Sequence, residues 1–331
     1  MKKPFFNIFV LILCGVLSLP LFASCDQEEK SEINESSAEE SSVELIPHET
    51  YEKGALSFAY PESYVYYDKK NVSILQEKTT EKTITVSSQD KTSVYREMTI
   101  QKFWSLIRDP FEYSNIKAKN FSHRTEKNAN GVEVTMLFYD VTYKEMDAKQ
   151  TIFAVNSLYR THVIIMTTPE EDTEAVNFIF DSFKVSDETL EYKNYRYLPI
   201  FFEYPKTYSY PSKSEIRIMQ ESYTGNNIAV AMEKKTDRYS EMTEEKFNLL
   251  IKPQLEAQGM VVSDYSYSKE TNPEGVEMAV LSYNTSVNGI NMTQKLFCLN
   301  SEENTYIITL TQVEKDEETI KHVFETIKII E

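Results

Sequence analysis

Few groups in this 331-residue sequence could do covalent or metal chemistry: three cysteines, four histidines and two runs of carboxylates. A thiol becomes a nucleophile or a metal ligand where a base or further ligands stand beside it. Cys14 falls inside an apolar leader and Cys25 directly follows it, which leaves Cys298 alone in the apolar run KLFCL. No internal disulfide and no cysteine-based metal site is expected, and Cys298 reads as a small buried hydrophobe. His48, His123, His162 and His322 have no partner at a zinc-type spacing such as HExxH. The 7 glycines form no phosphate-cradling loop, and no G-x-S-x-G elbow occurs. The acidic runs PEEDTE (169–174) and EKDEE (314–318) could offer oxygens to a hard cation such as Ca²⁺, but neither has EF-hand spacing. Each precedes an amphipathic stretch, where acid caps a helix and meets its positive dipole end, worth about 0.3–1 kcal/mol. The expectation is a chain with no cofactor, no metal and no catalytic set, and so not an enzyme.

Cys25 is the one group with a chemistry of its own. Lys2 and Lys3 open the chain, apolar residues run from about Phe5 to Phe22, and the small residues Ala23 and Ser24 stand just before Cys25. A positive start, an apolar middle and a small-residue cleavage site form a secretory signal. With Cys25 at the cleavage point, the stretch resembles a bacterial lipobox, although Phe22 stands where Leu is usual and Leu21 lies one place further back. An uncleaved membrane-spanning anchor is the alternative, at the lower limit of length. In the lipobox reading Cys25 becomes the mature N-terminus and carries acyl chains such as palmitate. Two or more chains hold a protein stably on a bilayer, at about 0.8 kcal/mol per buried CH₂. Residues 26–44, DQEEKSEINESSAEESSVE, are too poor in apolar groups to offset the entropy of ordering and read as a charged leash. The formal charge of −17 argues against a nucleic-acid partner.

The remaining sequence must supply the elements, and it does so twice. YREMTIQKFWSLI begins at Tyr95 and YSEMTEEKFNLLI at Tyr239, 144 positions apart (239 − 95). The same offset aligns FAYP at Phe58 with FEYP at Phe202, and ILQE at Ile74 with IMQE at Ile218. From Tyr51/Tyr195 to Asp187/Glu331, 44 of 137 aligned pairs are identical without a gap. So long a period fits two duplicated domains and not a solenoid. The expected organisation is a signal peptide at 1–24, the lipidated cysteine and acidic linker at 25–47, copy 1 at 48–187 and copy 2 at 188–331. The short polar segment 186–191 forms the join.

Within each copy, β-branched and aromatic runs predict strands: ALSFAY, VSILQE, TITVSS, Ala118–Glu126, VEVTMLFYDVTY, QTIFAV and HVIIMTT. Thr99 offers a helix N-cap, Phe103, Leu106 and Ile107 an apolar helical face, and Pro110 an end. Phe247, Leu250 and Ile251 repeat that face. Val176, Ile179, Phe180 and Phe183 predict a closing amphipathic helix, repeated by Ile320, Val323, Phe324 and Ile327. The predicted class is α+β, two repeated domains each with an antiparallel sheet packed by helices. His162, opposite Tyr306 in the repeat, reads as a half-buried strand residue.

The strand–proline openings LSFAYPESY and IFFEYPKTY, with the closing segment DTEAVNFIFDSFKV, resemble the PsbP-like superfamily. That superfamily includes the extrinsic photosystem II subunit and DcrB-like bacterial lipoproteins. The resemblance covers both copies and implies an extracytoplasmic accessory or scaffold protein with no catalytic residues to carry over.

Tyr64, Tyr66 and Tyr67, with Tyr208 and Tyr210 in copy 2, either pair across strands or form a peptide- or glycan-contacting patch. Trp104, which stands where copy 2 has Asn248, reads as an interdomain contact or a copy-specific binding anchor. The expected function is a lipid-anchored, non-enzymatic module facing the periplasm or cell exterior, with a protein partner. The alternative is a small-ligand, glycan or metal-binding receptor that uses the cleft between the copies.

Overall fold

The structure is a computed structural model that describes residues 47–69, 72–113, 116–143, 145–197, 199–209 and 217–330. Cys25, the leader, the acidic segment and Tyr210 lie outside these residues. The chain divides into two units, Met1–Glu188 and Thr189–Glu331.

In the first unit β1 (His48–Lys53), β2 (Leu56–Pro61) and β10 (Lys184–Val185) form a three-stranded sheet ordered β1-β2-β10. The second sheet holds β3 (Tyr64–Lys69), β4 (Val72–Glu77), β5 (Thr83–Asp90), β6 (Ile116–Lys127), β7 (Glu133–Tyr143), β8 (Met146–Asn156) and β9 (Arg160–Thr168). Its order is β3-β4-β5-β9-β8-β7-β6, antiparallel throughout. Successive strand residues point to opposite faces. Leu137, Tyr139 and Val141 therefore join a core with Phe103 of α1 (Ile100–Tyr113), while Val134 and Met136 join Phe58 of β2 and Ile179 of α2 (Thr173–Ser182).

The second unit repeats this order. Its small sheet is β11 (Tyr192–Tyr197), β12 (Ile200–Pro205) and β20 (Lys328–Ile329). Its large sheet holds β13 (Tyr208–Ser209), β14 (Arg217–Glu221), β15 (Asn227–Lys234), β16 (Val261–Thr271), β17 (Glu277–Val287), β18 (Ile290–Asn300) and β19 (Asn304–Gln312). The order β13-β14-β15-β19-β18-β17-β16 matches the first unit strand for strand. The helices are α3 (Glu244–Leu250), α4 (Lys252–Glu256) and α5 (Glu317–Thr326). Pro253 divides α3 from α4, because a proline in a helix interior removes a bond and clashes with the preceding turn. In the first unit α1 runs through Pro110 to Tyr113, and buried Phe111 anchors its last turn.

These elements correct the expected fold class. The described residues are mostly β, 56% strand against 15% helix, with four antiparallel sheets building two repeated β-rich domains. It is not α+β. The expectation left out β1, whose residues HETYEK are too polar and charged to announce a strand, and held the tyrosines of β3, YVYYDK, only as candidates for cross-strand pairs. It also gave the helices the standing of a layer, whereas the longest has 14 residues. Leu250, placed on an apolar helical face, is 43% exposed.

One buried contact recurs in both units. Asn128 donates from Nδ2 to the carbonyls of Phe180 and Phe183, at 3.0 and 2.8 Å, where α2 ends. Its Oδ1 accepts from the N–H groups of Asn130 and Val132 in the β6–β7 turn, at 3.0 and 2.9 Å. Asn272 repeats this on Phe324 and Ile327, at 2.9 and 2.8 Å, and on Val276 at 2.9 Å. The last carbonyls of a helix have no partner inside it, and this side chain supplies one. Each buried group left unmet costs about 1–3 kcal/mol. Asn128→Ala should therefore destabilise its unit by at least about 2 kcal/mol in urea titration. Asn130 adds two donations of its own, from Nδ2 to the carbonyls of Asp181 and Phe183 at 3.0 and 3.1 Å, so Asn130→Glu, which removes the donor, should destabilise the unit by about 0.5–1.5 kcal/mol, less than Asn128→Ala.

Candidate functional site

Each unit has a cleft on the face of its large sheet that carries the closing helix. In the first unit the cleft has a volume of about 340 Å³. Phe138 and Asp140 from β7, Lys149 and Thr151 from β8, Thr168 from β9 and Val176 from α2 line it. Residues two apart on neighbouring antiparallel strands share a face, which gathers side chains that are distant in sequence. The second cleft, about 560 Å³, is lined by Ser282, Asn284, Thr293, Lys295, Gln312 and Ile320. These are the same six positions shifted by 144 (138 to 282, 176 to 320). The cleft is thus a property of the duplicated fold.

The floor of each cleft rests on a bulge in the outer strand. Register slips between Lys119 and Ser122 in β6, and between Ser263 and Ser266 in β16. Asn120 and Asp264 occupy the bulges with φ of 58° and 53°. Asn and Asp tolerate this left-handed backbone better than other non-glycine residues. Each also reaches across to the next strand. Asn120 Nδ2 donates to Asp140 at 2.6 Å, and Asn284 Nδ2 donates to Asp264 at 2.9 Å. The acid and the amide have exchanged places between the units.

That exchange changes the electrostatics. Burial by itself would raise the pKa of Asp140. The hydrogen bonds from Lys149, at 2.7 Å, and Asn120, with the charges of Lys149 and Lys119, hold it below the usual carboxylate value. The same bond raises the pKa of Lys149. Arg124 lies 5.4 Å over the ring of Phe138. In the second cleft, Thr293 donates to Asn284 Oδ1 at 2.9 Å, and Lys315 pairs with Glu317 at 3.4 Å. Lys295 makes no ion pair with any described residue.

The aromatic residues singled out in the sequence do not gather at either cleft. Tyr64 and Tyr208 are buried at 5% and 3% exposure, in cores of the first and second units, so neither offers a contact surface. Tyr66 is 44% exposed, with its hydroxyl 3.3 Å from Ser73 Oγ. Trp104 is half-buried, its ring 5.3 Å from that of Phe103. The acidic runs act as helix caps: Asp172 accepts from Ala175 N and Asp316 from Thr319 N, both at 3.0 Å. Among the described residues no group of three or more His, Cys, Asp or Glu could hold a metal ion.

The two groups with the chemistry of bases and nucleophiles sit inside cores. Burial pushes the Cys298 thiol up to about 12. His162, buried, is held through Nδ1 at 2.8 Å from Ser88 Oγ, and burial lowers its pKa to about 4. His322 Nε2 lies 3.0 Å from Glu203, with its ring stacked on Tyr192 at 3.5 Å.

No family model and no curated protein matches the chain. Among solved structures, a protein from Bacteroides thetaiotaomicron VPI-5482 aligns over 52% of this chain and 52% of its own, with 8% identity and a TM-score of 0.31. The chain thus spans about half the length of that protein. The immunity protein TplEi of the T6SS from Pseudomonas aeruginosa, complexed with "L" peptide, aligns over 85% of this chain and 98% of its own, with 10% identity and a TM-score of 0.21. Its apo structure gives 85%, 97%, 10% and 0.21. Scores this low establish no common fold.

The buried imidazole has a consequence for pH. Its folded pKa of about 4 lies below the ordinary 6.5. Between those values the unfolded chain binds the proton and the folded one does not, so stability falls as pH drops from 6.5 to 4. The full loss is on the order of 3 kcal/mol. His162→Tyr, which installs the counterpart Tyr306, should remove that part of the pH slope in denaturant titrations from pH 7 to 4.

Proposed function

We propose that the chain is a lipid-anchored extracytoplasmic binding protein that performs no reaction of its own and recognises a small ligand in a cleft within a copy. The single observation that carries the reading is the recurrence of the cleft at matched positions on an otherwise duplicated core, with its lining changed. Phe138, Asp140 and Thr168 become Ser282, Asn284 and Gln312. Core positions such as Tyr64/Tyr208 and Phe103/Phe247 keep their residues. A wall that varies over a constant frame is expected of recognition.

Two further features support it. The outer strands β6 and β16 are interrupted by bulges, which hinder the addition of a partner strand. This favours a small ligand over a strand-adding protein. Cys298 and His162 are shut into cores and reach neither cleft. The anchor follows from Cys25 and its leader, with the acidic segment as tether.

Cys25→Ser should abolish labelling by radioactive palmitate and move the protein from the membrane to the soluble fraction. Retention on the membrane would contradict the anchor. A saturating ligand stabilises by about 2.7 kcal/mol at one hundred times its Kd. A thermal-shift panel of sugars, hydroxy acids and short peptides should therefore include a compound that raises Tm by several degrees, and no response to any of them would contradict the binding reading.

A further inference from the structure

The two clefts share a frame but not a sign. In the first, Lys149 is neutralised by Asp140 at 2.7 Å, and Asp172 by Lys82 at 2.9 Å. Glu171 on the rim has no ion-pair partner among the described residues. Three carboxylates of the first unit, Asp140, Asp147 and Glu171, correspond to Asn284, Asn291 and Lys315 in the second cleft. The ammonium also moves two residues along the strand, from position 149 to the counterpart of Thr151, where it becomes Lys295. There it has lost its acid: Asn284 stands where the carboxylate would be, and Asp264 is bonded to Asn284 and Ser263 instead. Lys315 is matched by Glu317 at 3.4 Å. Among the residues that line the second cleft the residual charge is the single ammonium of Lys295, with the Asp264 carboxylate engaged behind Asn284, in a chain of net charge −17.

We infer that the second cleft binds a small polyhydroxylated carboxylate, with Lys295 holding the carboxylate; this rests on the binding reading above. The neutral lining supplies the remaining recognition. Ser282, Ser286 and Asn291 offer hydroxyl and amide groups that both donate and accept, which suits sugar-type hydroxyls. Ile320 gives an apolar wall for a C–H face. Phosphate is a poorer fit. The cleft has no arginine fork and no glycine nest, the arrangements that meet several phosphate oxygens at once. A polyanion is disfavoured by the net charge of the whole chain, whereas a ligand with one charge feels chiefly the nearby ammonium. The volume of about 560 Å³ suits a monosaccharide acid or the acidic end residue of a glycan.

The test is calorimetric titration of the full chain with glucuronate, gluconate and a disaccharide that ends in a single glucuronate, with glucose and acetate as controls. One site per chain is expected for at least one of the three acids, with glucose and acetate at least about tenfold weaker. Gluconate binding alone would identify a free hydroxy acid, and preference for the singly charged disaccharide the acidic end residue of a glycan; both support the inference. Lys295→Gln should weaken binding at least about tenfold, Lys295→Arg should stay within about threefold, and Glu171→Gln in the first cleft should leave it unchanged. The ammonium of Lys295 is bonded to no described residue, so its variants should melt like the parent. Equal binding of glucose and glucuronate, or a Lys295→Gln variant that binds normally, would overturn the inference. Failure of all acids while a neutral sugar or peptide binds would sink the anion assignment and leave the binding reading standing. Failure of every compound would sink both.

Discussion

A buried asparagine side chain holds each unit together. A β-rich domain that closes on a short helix must account for the helix's last carbonyls, which face the protein interior and cannot reach water. Asn128 and Asn272 meet them and at the same time bind the turn that begins the longest strand pairs. The helix exit is thereby fixed, and the two residues that follow can pair with the middle strand of the small sheet. A second tie runs from the same helix to that strand: Ser182 Oγ accepts from Ala59 N at 2.9 Å, and Thr326 Oγ1 from Glu203 N at 3.0 Å. Sheet, turn and helix are therefore locked at one end. The clefts lie at the other end of the same helix, where its first turn faces the large sheet.

This division of labour explains which residues the duplication kept. The clamp, the opening strand-and-proline segment and the buried rings answer to packing, and a change there leaves a buried polar group unmet or a cavity. The cleft walls contact solvent and tolerate exchange at little cost in stability. The bulge shows the two demands meeting. An amide or acid must sit at positive φ and find a partner across the strand, but the fold is satisfied whichever of the two residues carries the charge. Exchange of Asn and Asp left the backbone unaltered and changed the electrostatics of the cavity above it.

Much of the architecture was legible in the sequence. The offset between Tyr95 and Tyr239 marked the duplication, and period-two runs such as VEVTMLFYDVTY marked the long strands. Asn128 and Asn272 stand three residues before Gly131 and Gly275, a spacing that suits a turn, but their bonds to a helix end more than fifty residues away could not be read locally. The polar strand β1 lacked an apolar rhythm and β3 was held only as tyrosines that could pair across strands, so the β content was underestimated and the helices were given too much weight. Tyr64 and Tyr208 were open to two readings, cross-strand pairs or a contact patch, because a tyrosine that turns its ring inward has the same local signature as one that stays at the surface. The clefts were invisible for a different reason. They are assembled from positions brought together by strand register, and register depends on bulges that no single strand displays. In retrospect the paired substitutions at 140/284, 151/295 and 171/315 were a signal, but only register shows that they converge.

The central claim is that one clamp governs both copies. It is tested most directly by residue-resolved hydrogen exchange on the full chain. The amides of Val132 and Val276, which donate to the clamp, should exchange within about tenfold of the slowest amides in β7 and β17, because they open only when the unit unfolds. Rapid exchange at either amide, with its neighbouring strands still protected, would show that the clamp does not hold that unit and would contradict the account.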